Sequence, residues 1–540
     1  MKTIPKISSI REMMTLAVAA RPDAVAYEFD EGGKIRSVTV KEFYESIENL
    51  GAALTKMGYG KKHIACIGEN SYAWIQAFVT TLMSGGVFVP IDKELPTDNI
   101  LFLIHDSDSE VVFCSSTYEE RLREHRDELP NVKCFISFGR EEHDGEFLSM
   151  KKLIEEGETI EKSTYDALKS DENELKYLVY TSGTTGVAKG VMLTEHNIVS
   201  GIYYGLKCSQ IHGKGLSVLP YNHTYEAVCD ILVSLHAGVT LCINDAIKNV
   251  QKNLKRFQPN HIYLVPAFSD HFYKVIQNSI RKQGKEKQFE KAVKLSQSLR
   301  KVGIDLRRVL FKSILSEFGG KLERIVCGGA PIRPEVGAFF DSIGMPLTGG
   351  YGITECSPLV SVNDPKSNNF SSAGHKLECL EWKIDEADSN GIGEICVKGD
   401  VVMKGYYRRP DLTAEVLKDG WFYTGDYGFI NDKNEIVITG RKKNIIILSN
   451  GKNIYPEELE EKIANIPYIN EVVVRASKND FGEDLFLSSE VYIEEEGHNE
   501  KGVLADIRKR LSELPSYKQI KNVILRATPF AKTTTNKIKR

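Results

Sequence analysis

Residues 180–190, "YTSGTTGVAKG", pack three glycines, four Ser/Thr hydroxyls and one lysine into eleven positions. Glycines permit tight or positive-φ backbone, bare N–H groups in a concave turn bind oxyanions, and Lys189 adds a point charge. These residue types, at this density, suit a loop that wraps a polyphosphate such as that of a nucleotide. The Walker loop is excluded. It needs four residues between its first glycine and a Gly-Lys-Ser/Thr, whereas Lys189 follows Ala188 and precedes Gly190. A plain Ser/Gly surface turn is the alternative, and the lysine and the apolar "LKYLVY" directly upstream argue against it.

Five further segments carry groups suited to such a ligand. "RIVCGGAPI" (324–332) is an apolar run ending in Gly328 and Gly329, where a missing Cβ lets a flat ligand approach the backbone. "MPLTGGYGITECSP" (345–358) repeats that design around an aromatic plate, Tyr351, between Gly350 and Gly352, and then adds Thr354 and Glu355. "WFYTGD" (421–426) ends in Asp426, a carboxylate able to accept from two vicinal hydroxyls. "GRKKN" (440–444) offers Arg441 for ribose or phosphate, and "KTTTNKIKR" (532–540) ends the sequence in strong positive charge. Each has a structural reading too: Asp426 as a turn residue, Glu355 as a helix-start carboxylate, the basic tail as a frayed end. Their joint order is what singles them out.

In that order and spacing the chain resembles the adenylate-forming superfamily of acyl-CoA synthetases, nonribosomal-peptide adenylation domains and luciferases. The resemblance runs over essentially the whole chain. Within the superfamily, "LSNGKNIYPEELE" and the long helical insert before "CGGAPI" are most similar to long-chain fatty acyl-CoA synthetases. It implies an ATP- and Mg²⁺-dependent ligase that activates a medium- to long-chain fatty acid as acyl-AMP. The acyl group would then pass to coenzyme A or, alternatively, to the phosphopantetheine of an acyl carrier protein. A nucleotide-binding homologue without catalysis is the reading from another class, opposed by the intact Lys537, Glu355 and Asp426.

The resemblance also implies roles. Thr181, Ser182, Gly183, Thr184, Thr185, Gly186 and Lys189 would hold the β- and γ-phosphates, with Thr185 among the catalytic groups. Tyr351 would stack on adenine beside Gly328, Gly329, Ala330 and Pro331. Asp426 would hold the ribose with Arg441 nearby, Thr354 would contact the α-phosphate, and Glu355 would hold the metal. Lys537 would bridge the attacking carboxylate and the α-phosphate, Lys443 would be the hinge between half-reactions, and His223 in "LPYNHTYE" would gate the acyl pocket. Glu226 reads either as an exposed acid or as a brace for that loop. The chain departs from the family pattern at Ala188, where proline is usual, and at Asn536, where glycine usually precedes the lysine. Asn tolerates left-handed backbone better than most residues, so Asn536 bears on efficiency more than on identity.

The elements that must position these groups show in the hydrophobic pattern. "KHIACIG", "AWIQAFVTTLMSGG", "VFVPID" and "EVVFCSS" alternate short strands with a helix, predicting α/β units with largely parallel sheets. From Gly391 short strands broken by Gly and Asp-Lys-Asn turns predict a small barrel-like unit. After Arg441, "PEELEEKIANI" and "KGVLADIRKRLSEL" read as helices around the strands "INEVVVRAS" and "LFLSSEVYIEE". The expected organisation is a large N-terminal domain, 1–439, of stacked α/β subdomains plus a distorted β-barrel. A hinge, 440–443, and a mobile α+β domain, 444–540, carrying the lysine follow.

With 540 residues the chain can hold about three or four core-forming units. Its net charge of −4 gives no case for nucleic acid. Ten cysteines occur without a CxxC pair, and Cys114, Cys242 and Cys327 lie in apolar runs, as buried thiols of a reducing cytosol would. The N-terminus lacks the apolar core of a signal peptide, and "AFVTTLMSGGVFVPI" falls short of the ~20 residues a spanning helix needs. A cytoplasmic enzyme is expected, touching a membrane only from its surface. One stretch supports such contact: from Lys274 to Lys312 there are twelve Lys/Arg against three Asp/Glu. Phe272, Val275, Ile276 and Ile280, then Phe289, Val293 and Leu299, have helical spacing there. The stretch reads as a solvated helix pair packed by one apolar face, or as a surface attracted to anionic lipid or an acidic carrier protein.

Overall fold

The computed structural model describes residues 4–168, 171–181, 188–364, 369–448, 453–478, 485–532 and 538–540. The chain forms two compact units. The first comprises Met1–Phe370, Gly374–Glu381 and Lys398–Gly420, the second Ser371–Ala373, Trp382–Val397 and Trp421–Arg540.

Two large mixed sheets build the first unit. One has eight strands, in the order Gly405–Tyr406, Lys189–Thr194, Leu175–Thr181, Val87–Ile91, His63–Ile67, Val111–Cys114, Cys134–Ser137 and Phe147–Ser149. From Leu175–Thr181 through to Phe147–Ser149 the pairs are parallel, and the strands Val87–Ile91 and Val111–Cys114 are buried throughout. Strands covered on both faces read as unbroken apolar runs, which is why they were visible in the sequence. The helix Tyr72–Ser84, between strands His63–Ile67 and Val87–Ile91, is capped by the Ser71 hydroxyl and stopped by Gly85 at φ 86°. It lies in the core, buried at every residue from Trp74 to Ser84. The apolar stretch tested above as a spanning segment is thus the end of this helix plus the next strand. Among the described residues no helix is long and apolar enough to cross a membrane.

The second sheet has nine strands, and Lys214–Ser217, His261–Leu264, Arg324–Cys327 and Leu347–Gly352 run parallel side by side in it. Helix Pro266–Lys282 covers it with Phe272, Ile276 and Ile280. Val275, expected on that apolar face, is instead 45% exposed. The buried face runs along Phe272, Ile276 and Ile280, and Val275 falls on its flank.

In the second unit, strands Trp421–Ile430 and Ile436–Arg441 and most of Leu380–Asp385 and Gly393–Gly399 form the half-barrel. Beyond it, Glu471–Lys478, Leu485–Tyr492 and Ile520–Arg526 make a three-stranded sheet. Helices Pro456–Ala464 and Glu500–Arg510 share its core through Leu459, Ile463, Val503 and Ile507. The third strand was not expected from the sequence.

Candidate functional site

Leu175–Thr181 and Lys189–Thr194 pair antiparallel as the arms of a hairpin, with Thr181 opposite Lys189 at the two ends of the glycine-rich segment. Ser182, Gly183, Thr184, Thr185 and Gly186 lie outside the described residues. The base of the hairpin is heavily braced. The Tyr180 hydroxyl donates to Asp106 at 2.7 Å, Arg409 donates to the same carboxylate at 3.1 Å, and the Tyr407 hydroxyl donates to Asp108 at 2.6 Å. The Tyr407 N–H donates to the Gly190 carbonyl at 2.8 Å. Downstream, Thr194 and Asn197 form a reciprocal cap that starts helix Glu195–Cys208.

One flank of this hairpin carries a residue the sequence reading missed. Tyr406, in the short strand pairing with Val191, donates its hydroxyl to Glu355 Oε1 at 2.9 Å. Lys189 Nζ stands 5.1 Å from the centre of the same ring. Burial, followed by the charge and hydrogen bond of Glu355, pushes the Tyr406 phenol far above its usual range, so it stays a donor. Lys189, Tyr406 and Glu355 therefore form one continuous chain of contacts. The signal was present in "KGYYRRP", but the pairing of Tyr406 with Glu355 is tertiary.

Glu355 sits in the 3-10 turn Thr354–Cys356, and its carbonyl accepts from the Met403 N–H at 2.8 Å. With one carboxylate oxygen engaged by Tyr406, the other suits a hard cation that keeps water and phosphate oxygens as its remaining ligands. Among the described residues no group of three or more His, Cys, Asp or Glu could hold a metal without such help. A single carboxylate of this kind fits Mg²⁺ brought with a nucleotide.

Leu347–Gly352 carries Gly350, Tyr351 and Gly352, and lies parallel to Arg324–Cys327 with Cys327 opposite Gly349. Gly328 through Pro331 thus leave the sheet beside Tyr351, which is 7% exposed. A Cβ at Gly352 would lie 2.3 Å from the Pro358 carbonyl oxygen, so the return strand Leu359–Val362 can close only against glycine. A Cβ at Gly328 would come within 3.2 Å of the Tyr225 ring, whose hydroxyl donates to the Val326 carbonyl at 3.3 Å. Tyr225 brings the "NHTYE" segment against this floor.

His223 precedes the turn Thr224–Glu226 and is half-buried, its carbonyl accepting from Glu226 and Ala227. Glu226 is fully buried, which excludes its reading as an exposed acid. Asp230 follows on the π-helical turn Ala227–Leu232 and is fully buried as well. Burial and then the Asp230 charge push the Glu226 carboxyl well above its usual range, and burial lifts Asp230 to about 7.

In the second unit Asp426 and Arg441 face each other across adjacent strands, with Arg441 Nε 2.9 Å from Asp426 Oδ1. Asp426 is 3% exposed, while the Arg441 side chain remains near solvent. Lys443 lies in the 3-10 turn Lys442–Asn444. Partial burial and the neighbouring Arg441 and Arg540 lower its ammonium pKa. Lys537 lies outside the described residues. Its flanks are fixed: Lys532 bridges to Ile538, Lys532 Nζ meets Glu471 at 2.7 Å, and Arg540 pairs with Glu460 and Glu457 of helix Pro456–Ala464.

The sheets and the order of these segments are those of adenylate-forming enzymes. The model of the AMP-binding enzyme family matches residues 15–407, and the chain belongs to that family. It is 26% identical over 505 residues to the long-chain-fatty-acid–CoA ligase ACSBG1 of Rattus norvegicus, covering 88% of this chain and 70% of that protein. It is 28% identical over 513 residues to the chloroplastic long-chain-fatty-acid–acyl-carrier-protein ligase AEE15 of Arabidopsis thaliana, covering 81% and 70%. The o-succinylbenzoate CoA synthetase of Bacillus subtilis, solved with its acyl-adenylate, superposes with a TM-score of 0.75 at 21% identity, over 97% of this chain and 96% of that one.

Proposed function

We propose that this chain is an AMP-forming acid–thiol ligase that converts a medium- to long-chain fatty acid and ATP into an acyl thioester of coenzyme A. The observation that carries this reading is the Lys189–Tyr406–Glu355 line beside a hydroxyl- and glycine-rich hairpin, in a member of the AMP-binding enzyme family. A carboxylate is a poor acylating agent because it has no adequate leaving group. Its oxygen attacks the α-phosphorus of ATP and pyrophosphate leaves, giving a mixed anhydride. The thiolate sulfur then attacks the acyl carbon and AMP leaves. The first step brings anions together, so catalysis is mostly positioning and placement of positive charge.

In this reading residues 181–189 hold the β- and γ-phosphates, Thr354 the α-phosphate, Tyr351 and Gly328–Pro331 the adenine, and Asp426 with Arg441 the ribose. Lys537 neutralises the attacking carboxylate and α-phosphate, His223 gates the acyl site, and Lys443 is the hinge. A Mg²⁺ held through Glu355 would neutralise phosphate charge. Ten free thiols, most of them buried, accord with a cytoplasmic setting. The test measures ATP–pyrophosphate exchange and thioester formation with acids from acetate to stearate, offering coenzyme A or acyl carrier protein as acceptor. Exchange and thioester with long acids and coenzyme A are expected. Thioester with carrier protein alone would move the chain to the second reading, which the similarity to the Arabidopsis ligase favours. Absence of exchange with every acid would overturn both.

A further inference from the structure

We infer that residues 302–310 and the outer face of helix Glu286–Lys301 form a docking surface for an anionic lipid membrane. The segment "VGIDLRRVL" is built inside out. Val302 and Val309 are each 71% exposed and Ile304 is 47% exposed, with Leu306 and Leu310 also facing solvent. The two arginines among them turn inward. Arg307 donates to the Asp341 carbonyl at 2.8 Å and pairs with the Asp341 and Asp305 carboxylates. Arg308 donates to the carbonyls of Leu322, Gly344 and Gly320 at 2.8, 3.1 and 2.7 Å. Charges that would ordinarily be solvated anchor the backbone, and side chains that would ordinarily be buried project from it.

Helix Glu286–Lys301 adjoins this segment and packs inward through Phe289, Ala292 and Val293. Its outward side carries Leu295, 52% exposed, among the exposed Lys287, Lys291, Lys294 and Lys301. None of these four lysines is in an ion pair among the described residues, whereas Arg281 and Arg300 both are. Twelve cations against three anions between Lys274 and Lys312 stand out in a chain whose net charge is −4.

The kinds of side chain select the occupant. Protein interfaces are rich in arginine and poor in lysine, and here the arginines are withdrawn while the lysines are left free. Apolar side chains set among lysines match a fluid anionic surface. The first enter the boundary between headgroups and acyl chains, and the second meet lipid phosphates.

The experiment sediments the full chain with vesicles of phosphatidylcholine alone and of an equimolar phosphatidylcholine–phosphatidylglycerol mixture, without substrates, so the outcome does not depend on the proposed activity. Binding is expected to the anionic vesicles only and to weaken with salt. Replacing Lys287, Lys291, Lys294 and Lys301 by Gln should weaken it about fivefold per lysine. The double variant Val302→Ser/Val309→Ser should lose about tenfold, with an unchanged melting temperature because both positions are exposed. An indole introduced by Val309→Trp should be quenched by brominated acyl chains. The inference fails if anionic vesicles are not bound, if both variants bind like the parent, or if the indole stays unquenched. It also fails if the chain ignores vesicles but binds an acidic acyl carrier protein through the same lysines.

Discussion

Tyr406 couples a cation to an anion through one ring, with Lys189 over its face and Glu355 on its hydroxyl. Tyr406→Phe keeps the face and deletes the donor. A hydrogen bond to a charged group contributes about 1.5–3 kcal/mol, so ATP–pyrophosphate exchange should fall about tenfold or more. The Mg²⁺ activation curve should shift to higher concentration while the fold survives. A Mg²⁺ titration superimposable on the parent's would mean Glu355 needs no support from this phenol. Asp426 offers a parallel test in the second unit, since its buried carboxylate already holds Arg441. Asp426→Ala should weaken ATP binding by about tenfold or more, read by calorimetry, and unchanged affinity in a folded variant would place the ribose elsewhere.

The π-helical turn Ala227–Leu232 is the element that most alters the chemistry of its residues, because it seats Asp230 and its neighbour Glu226 in the core. Turns of this kind recur at functional sites. Both carboxyls bind protons more tightly folded than unfolded, so between about pH 4 and about pH 7 the native state holds more protons and stability falls as pH rises. Asp230→Asn removes part of that cost. Its melting temperature should exceed the parent's by about 2–4 °C at pH 8 and show no gain at pH 4, whereas an equal gain at both pH values would exclude titration as the cause. The elements themselves were unevenly legible in the sequence. Unbroken apolar runs such as Val111–Cys114 mark strands buried on both faces. Ile520–Arg526 escaped notice because its buried positions, Ile520 and Val523, are three apart and break the two-residue alternation of a half-buried strand. Tyr225 and Tyr406 escaped for a different reason: their partners, Val326 and Glu355, are 101 and 51 residues away. Motif order could nominate Glu355, Asp426 and Lys537, but only packing shows which aromatic ring leans on which carboxylate.

At the scale of the whole molecule, the proposed two-step reaction asks the C-terminal part of the chain to change position between steps, and the backbone around Lys443 is suited to that. Lys442 is tied to Glu394 and Asn444 to Glu457, whereas no hydrogen bond or ion pair holds the Lys443 side chain among the described residues. Rotation at Lys443 would leave the anchors on either side intact, and a few backbone angles suffice to swing a rigid domain. Proline at this position fixes φ near −65° and removes an N–H. Lys443→Pro should therefore keep most of its ATP–pyrophosphate exchange and lose about a hundredfold in thioester formation from supplied acyl-AMP, the scale expected when reacting groups are misplaced. Both half-reactions are to be measured on one preparation. Equal losses in the two would indicate general damage, and no loss in either would move the hinge to another residue. A variant that exchanges pyrophosphate normally but cannot transfer its acyl group would tie the second half-reaction to rotation at this one residue.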